Sequence, residues 1–217
     1  VKKSVNLTNT IKIPTGDTTT INITNNAEIK APAGTTAVSG EGANTNLIVT
    51  GNGTIKGGDG TTAGPNGSPA IDMSQTSSGS TVSVNGNTTV KGGDGVDASG
   101  ENQNGGNGAD AIKGSSGLNV SVNNDSKSGD TATIVGGNGG NGIGTGNGGN
   151  GGAGVNGNNV QISVGNGTGN GKIQGGSGGA AETGTGGTGG LGVAVFHDHG
   201  AIELNPSRRT RSMGHRS

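Results

Sequence analysis

The chain contains no cysteine, no tryptophan and no tyrosine, and its one phenylalanine is Phe196 among 217 residues. Without cysteine there is neither disulfide bracing nor a thiolate metal site, and cysteine usage leaves the redox compartment open. Without aromatic rings a wide globular core lacks its usual fillers, and stacking on sugar rings has no platform. Charge is scarce too: 13 basic against 14 acidic residues give a formal net charge of -1. That offers no electrostatic reason to seek phosphate backbones or anionic membranes, so nucleic acid is excluded as an expected partner. No stretch approaches the roughly 18 apolar residues of a membrane span. The opening Val1-Lys2-Lys3 lacks the apolar run of a signal peptide. A start without methionine fits a processed or excised segment and leaves secretion open. Leu, Ile, Val and Phe together number 36, below the roughly 20% that warns of disorder. That warning belongs with high net charge, which is missing, and disordered chains do not keep β-branched residues in register.

What is abundant is glycine, 52 residues, and it recurs in a frame. Ile55-Lys56-Gly57-Gly58-Asp59-Gly60 returns as Val90-Lys91-Gly92-Gly93-Asp94-Gly95, as Ile134-Val135-Gly136-Gly137-Asn138-Gly139 and as Ile173-Gln174-Gly175-Gly176-Ser177-Gly178, with Ile29-Lys30-Ala31-Pro32-Ala33-Gly34 ahead of them. Each return is followed by a short aliphatic step: Ala37-Val38, Ala70-Ile71, Ala111-Ile112, Ala153-Gly154-Val155, Leu191-Gly192-Val193. A third element then alternates apolar and polar residues: Leu47-Ile48-Val49, Val82-Ser83-Val84, Val120-Ser121-Val122, Val160 to Val164. Repetition at this scale outranks every local signal. Thirty of the 36 large apolar residues are Val or Ile, which suit a pleated surface, and no run supports an amphipathic helix. Between the third strand of one repeat and the first of the next stand Gly51-Asn52-Gly53, Asn85-Gly86-Asn87, Asn123-Asn124-Asp125 and Gly165-Asn166-Gly167. Asn and Gly enter left-handed backbone cheaply, so a tight bend is expected at this corner of every turn.

Three short strands per repeat and Gly/Asn-rich loops predict an all-β fold, a right-handed parallel β-helix whose turns pair at about 4.8 Å. Residues 1–50, with closely spaced strands and turns at Pro14 to Asp17, Asn25-Asn26 and Pro32 to Gly34, read as an opening turn that caps one end. Residues 51–195 are the glycine-rich repeats. Residues 196–217 break the pattern: all four arginines and all three histidines lie there, so this tail is expected to be non-native or disordered. Repeat lengths of 35 (57 to 92), 44 (92 to 136) and 39 (136 to 175) place the variation in the segments beginning at Asp59, Asp94, Asn138 and Ser177. Ordering so many glycines is entropically expensive, which predicts flexible or partly ordered loops there. The alternative is side-by-side packing in polyproline II conformation, as in collagen.

Candidates for chemistry are few. Residues 105–113, Gly105-Gly106-Asn107-Gly108-Ala109-Asp110-Ala111-Ile112-Lys113, match the calcium nonapeptide G-G-x-G-x-D-x-U-x. A calcium β-roll needs tandem copies nine residues apart, and the partial second copy begins 13 residues away, at Gly92. The reading is therefore a loop rather than a metal site, with Asp94, Asp97 and Asp110 as the carboxylates to watch. His197-Asp198-His199 has no further ligand cluster in sequence. Stacking aligns Lys56 with Lys91 and Asp59 with Asp94, but Val135, Gln174, Asn138 and Ser177 replace them in later turns. The lysines read as solvated outward positions and no catalytic residue is assigned.

The repeated [IV]-K-G-G-D-G, G-x-A-I and V-S-V-N-G-N steps resemble the glycine-rich right-handed parallel β-helix repeats of bacterial surface and secreted proteins, in the broad pectin-lyase-like group, over about residues 10–195. The Gly-Gly-Asn-Gly-Gly-Asn tract also resembles glycine-rich modules of bacterial cell-surface proteins and phage adhesins, thought to use polyglycine packing. The resemblance implies a non-catalytic scaffold, extracellular or at the cell surface, acting as an adhesin or structural repeat, with variable loops facing a glycan or cell-surface ligand. A carbohydrate-binding or polysaccharide-cleaving β-helix is the second expectation and an ice-binding face the third. No cofactor is expected. An open edge at the broken fifth repeat predicts edge-to-edge self-association.

Overall fold

The computed structural model describes residues 4–123, 127–165 and 169–196. The described residues wind through six turns. The first holds β1 (Ser4–Asn6), β2 (Ile11–Ile13) and β3 (Thr18–Ile23), the second β4 (Glu28–Lys30), β5 (Val38–Gly42) and β6 (Asn46–Gly51). The third is β7 (Thr54–Lys56), β8 (Ile71–Thr76) and β9 (Thr81–Val84), and the fourth β10 (Thr89–Lys91), β11 (Ile112–Gly114) and β12 (Asn119–Val122). The fifth is β13 (Thr131–Val135), β14 (Val155–Asn158) and β15 (Gln161–Val164), and the sixth is β16 (Asn170–Gln174) and β17 (Val193–Phe196). Strands of the same rank stack into three parallel sheets: β1-β4-β7-β10-β13-β16, β2-β5-β8-β11-β14-β17 and β3-β6-β9-β12-β15. We call them sheets A, B and C. This is a parallel β-helix with three strands per turn, as the repeats predict.

The register follows the sequence frame. Ile55 pairs with Val90 and Val90 with Ile134 in sheet A, Ile71 with Ile112 in sheet B, and Val82 with Val120 and Val84 with Val122 in sheet C. All of these side chains point inward and are fully buried or nearly so, and together with Leu47, Val49, Met73, Leu118 and Val155 they fill the narrow interior. Each such burial is worth roughly 1.5–3 kcal/mol. One turn contributes too few to stand alone, so stability comes from neighbours above and below.

Two columns of left-handed residues make the corners. The one between sheets C and A was legible: Asn25, Asn26, Gly51, Gly86, Asn123 and Gly165 all have positive φ. A second, between sheets B and C, carries Gly16, Gly42, Asn44, Gly79, Gly117 and Asn159, and its residues are too varied in sequence to mark a column. Strand β1 also escaped sequence reading. It pairs with β4, so residues 4–50 contribute two turns to the same three sheets.

Candidate functional site

Where the glycine-rich segments leave sheet A and return to sheet B, the structure overturns the expectation of flexible loops. In the fifth turn the N–H groups of Gly136, Gly139 and Gly142 donate to the carbonyls of Gln174, Ser177 and Ala180 in the next turn. Those of Gly137, Gly140 and Ile143 donate to Ala109, Gly106 and Gln103 of the turn before. Those of Asn138 and Asn141 donate to Oδ1 of Asp94 and Asp97 at 2.8 and 2.7 Å. Hydrogen-bond direction thus repeats every third residue, the signature of an extended threefold helix of the collagen kind. The returning limb does the same. Gly148, Gly151 and Gly154 donate to Thr185, Thr188 and Leu191, while Gly149 and Gly152 donate back across the hairpin to Gly140 and Gly137. Each turn from the third onward therefore inserts a hairpin of two threefold limbs, and the hairpins stack into a two-layer sandwich.

Glycine is required here by contact. At Gly137 an added Cβ would overlap the carbonyl of Gly93, at Gly149 that of Gly106, and at Gly152 that of Ala109. Backbone packs directly on backbone, and the entropy cost that argues for disorder is offset because every amide from Gly136 to Gly154 in the fifth turn has a partner.

The third direction of each limb points outward, and Asx side chains close it. Asp59 Oδ1 accepts the Asp94 N–H, Asp94 that of Asn138, and Asn138 that of Ser177, with sequence separations of 35, 44 and 39. On the returning limbs Asn66 serves Asn107, Asn107 serves Asn150, and Asn150 serves Thr188. Asn104 serves Asn147, which serves Thr185. The spacing G-G-Asx is thus the spacing of a side-chain ladder. It also accounts for the calcium-like match: Asp110 Oδ1 takes the Ala153 N–H and Oδ2 the Asn156 side chain, both at 2.8 Å. Asp94, Asp97 and Asp110 stand on separate rungs, each accepting a backbone N–H of the next turn. Among the described residues no group of three or more His, Cys, Asp or Glu could hold a metal ion. His197 and His199 lie outside the described residues, as does the tail from 197 to 217.

Lys56 is not the solvated lysine that its outward position suggests. Its side chain is 14% exposed and lies 2.7 Å from Asp59 and 2.8 Å from Asp94. Lys30 reaches Asp59 at 2.7 Å and Lys91 reaches Asp94 at 2.9 Å, so lysine and aspartate alternate in a zigzag up the junction of sheet A with the first limbs. Burial pushes the Asp59 carboxyl up, but hydrogen bonds from Lys30, Lys56 and the Asp94 N–H outweigh it and bring it down to about 2. Burial likewise pushes Asp94 up, and Lys56, the Asn138 N–H and Lys91 together hold it below the usual carboxylate range. For Lys56 burial pulls the ammonium down, and the two carboxylates more than restore it, leaving its pKa raised. Every charge in the zigzag is tied to an opposite one, so its work is to register successive turns.

The outer face of sheet C differs in kind. Thr81, Ser83, Asn119, Ser121, Gln161 and Ser163, together with Val120 and Ile162, line an open depression of about 320 Å³. Ser83 and Ser121 are joined by a hydrogen bond of 2.8 Å between their hydroxyls, and Thr81 donates to Asn46 at 2.8 Å. Compared with known protein families, curated proteins and solved structures, the chain matches none.

Proposed function

We propose that the chain is a non-catalytic extracellular repeat scaffold, a surface adhesin or structural repeat. The observation that supports this reading is the glycine sandwich. It holds its shape through backbone contacts and Asx ladders, and the exposed tips differ in residue from turn to turn even where, as at Asn102 with the Thr145 N–H and Glu182 with the Gly144 N–H, a side chain also closes a rung. Those tips gather the sandwich's departures from the glycine pattern: Thr61 and Thr62, then Glu101, Asn102 and Gln103, then Thr145, then Glu182 and Thr183, all exposed. A rigid framework with variable polar ends is what display on a surface requires.

Retention of labelled cells or isolated cell envelopes on the immobilised chain tests the proposal, alongside an assay for reducing ends released from polysaccharides. Saturable retention without release is expected. Steady release of reducing ends would make it an enzyme, and failure to retain any surface together with failure to assemble would remove both forms of the scaffold reading.

A further inference from the structure

Charge is distributed unevenly over the three sheets. Sheet A carries Glu28, Lys30, Lys56, Lys91 and Lys172, and sheet B carries Lys12, Glu41, Asp72 and Lys113. Strands β3, β6, β9, β12 and β15 of sheet C carry none. Register lines up their outward residues in two columns: Thr18, Asn46, Thr81, Asn119 and Gln161 in one, Thr20, Ile48, Ser83, Ser121 and Ser163 in the other. The depression lies over the last three rungs of both columns.

We infer that this trough is a binding site for an uncharged polysaccharide, lying along the stacked strands of sheet C. The inference rests on the adhesin reading and adds to the sandwich tips a second surface, on sheet C, with its ligand class. An anionic chain brought here would lose hydration with no cation on the described strands of sheet C to replace it. A neutral glycan presents hydroxyls that both donate and accept, and the column of amides answers with both functions, as do the serine and threonine hydroxyls. Successive rungs about 4.8 Å apart repeat at close to the length of one pyranose residue, so each rung meets an equivalent part of the polymer. With no aromatic platform each contact is weak, and useful retention comes from several rungs and several copies acting together. A flat ice-like lattice fits less well, because Asn119 and Gln161 share a column with Thr81, Ile48 interrupts the other, and the surface is concave.

The test uses the full chain on surfaces coated with neutral polysaccharides (dextran, mannan, cellulose oligosaccharides) and with polygalacturonate, in parallel with the cell-retention assay. Binding to at least one neutral polymer is expected, with at least a tenfold loss in Ser121→Arg, which fills the trough, and a smaller loss in Gln161→Ala, which leaves the fold untouched; circular dichroism confirms that both variants are folded. Lys113→Ala, on sheet B, keeps full binding. If the variants bind cells and neutral polymers like the parent chain, the trough is not the site while the adhesin reading stands. Binding to polygalacturonate alone, binding to no polymer, or ice shaping that Ser121→Arg abolishes would each overturn the assignment, and loss of cell retention in the parent chain would remove the adhesin reading as well.

Discussion

Gly137 shows what a single residue contributes to this architecture. Its amide donates to Ala109, and the space where a Cβ would sit is taken by the Gly93 carbonyl. Gly137→Ala must push two limbs apart, an overpacking cost of about 1–3 kcal/mol. Gly186 has nothing nearer than 3.7 Å to the same virtual atom, and Gly186→Ala should fall within about 0.5 kcal/mol of the parent. Denaturant melts of the two variants check this, and equal losses would mean the limbs are not packed backbone to backbone. Asp94 separates two roles in the same way. Asp94→Asn keeps the acceptor for the Asn138 N–H but gives up Lys56 and Lys91, whereas Asp94→Ala gives up all three. The alanine variant should be less stable by about 1 kcal/mol, the worth of one further hydrogen bond.

Among the elements, the middle turns and the last one differ most. Val120 in β12 is 1% exposed with paired strands on both sides, while Val193 in β17 is 37% exposed, and Leu191 beside it 63%. Val120→Asp should unfold the array, and Val193→Asp should leave the melting temperature within a few degrees. Amides after Gly171 should exchange with solvent long before those of Val82 to Val84 and Val120 to Val122. Equal protection would show that the sixth turn is covered. The strands themselves were legible because sheet register repeats the same Ile and Val at the same place, so Ile55, Val90 and Ile134 announce one another. The glycine limbs were not. Composition prices the entropy of Gly140 to Gly152 but cannot show the partner that removes it, since that partner is another limb 39 to 44 residues away. The clue was present in the three-residue spacing of Asp94 and Asp97, of Asn138 and Asn141, and of Asn147 and Asn150. It was masked by its likeness to a calcium repeat. The sheet C trough had no local signal, because Ser83 and Ser121 become neighbours only through stacking.

For the molecule as a whole, the lysine–aspartate zigzag sets the pH range of stability. Asp59 sits at about 2 and Asp94 is also lowered, so their contribution is complete above the unfolded carboxylate value of about 3.9 and is lost as pH falls through the folded values. Lys56 is raised, so its contribution is complete below the unfolded lysine value of about 10.4 and fades as pH rises through the folded one. Melting temperature should be flat from about pH 5 to 9 and fall on both sides, with the acid slope shallower in Asp59→Asn. An unchanged slope in that variant would mean the zigzag is not what acid breaks. The Asx ladders also bear on how the chain ages. Asparagine followed by glycine is the sequence most prone to deamidation: the glycine nitrogen attacks the side-chain carbonyl carbon, ammonia leaves, and water opens the resulting succinimide to aspartate or isoaspartate. In this protein one residue of the next turn clamps both reacting groups. Ser177 donates its N–H to Asn138 Oδ1 and accepts the Gly139 N–H, and Ala180, Thr185 and Thr188 do the same for Asn141 with Gly142, Asn147 with Gly148 and Asn150 with Gly151. Peptide mapping after weeks at mildly alkaline pH should find isoaspartate at these four asparagines in the denatured chain and almost none in the native one, so that a sequence built from the most perishable dipeptide lasts as long as it stays folded.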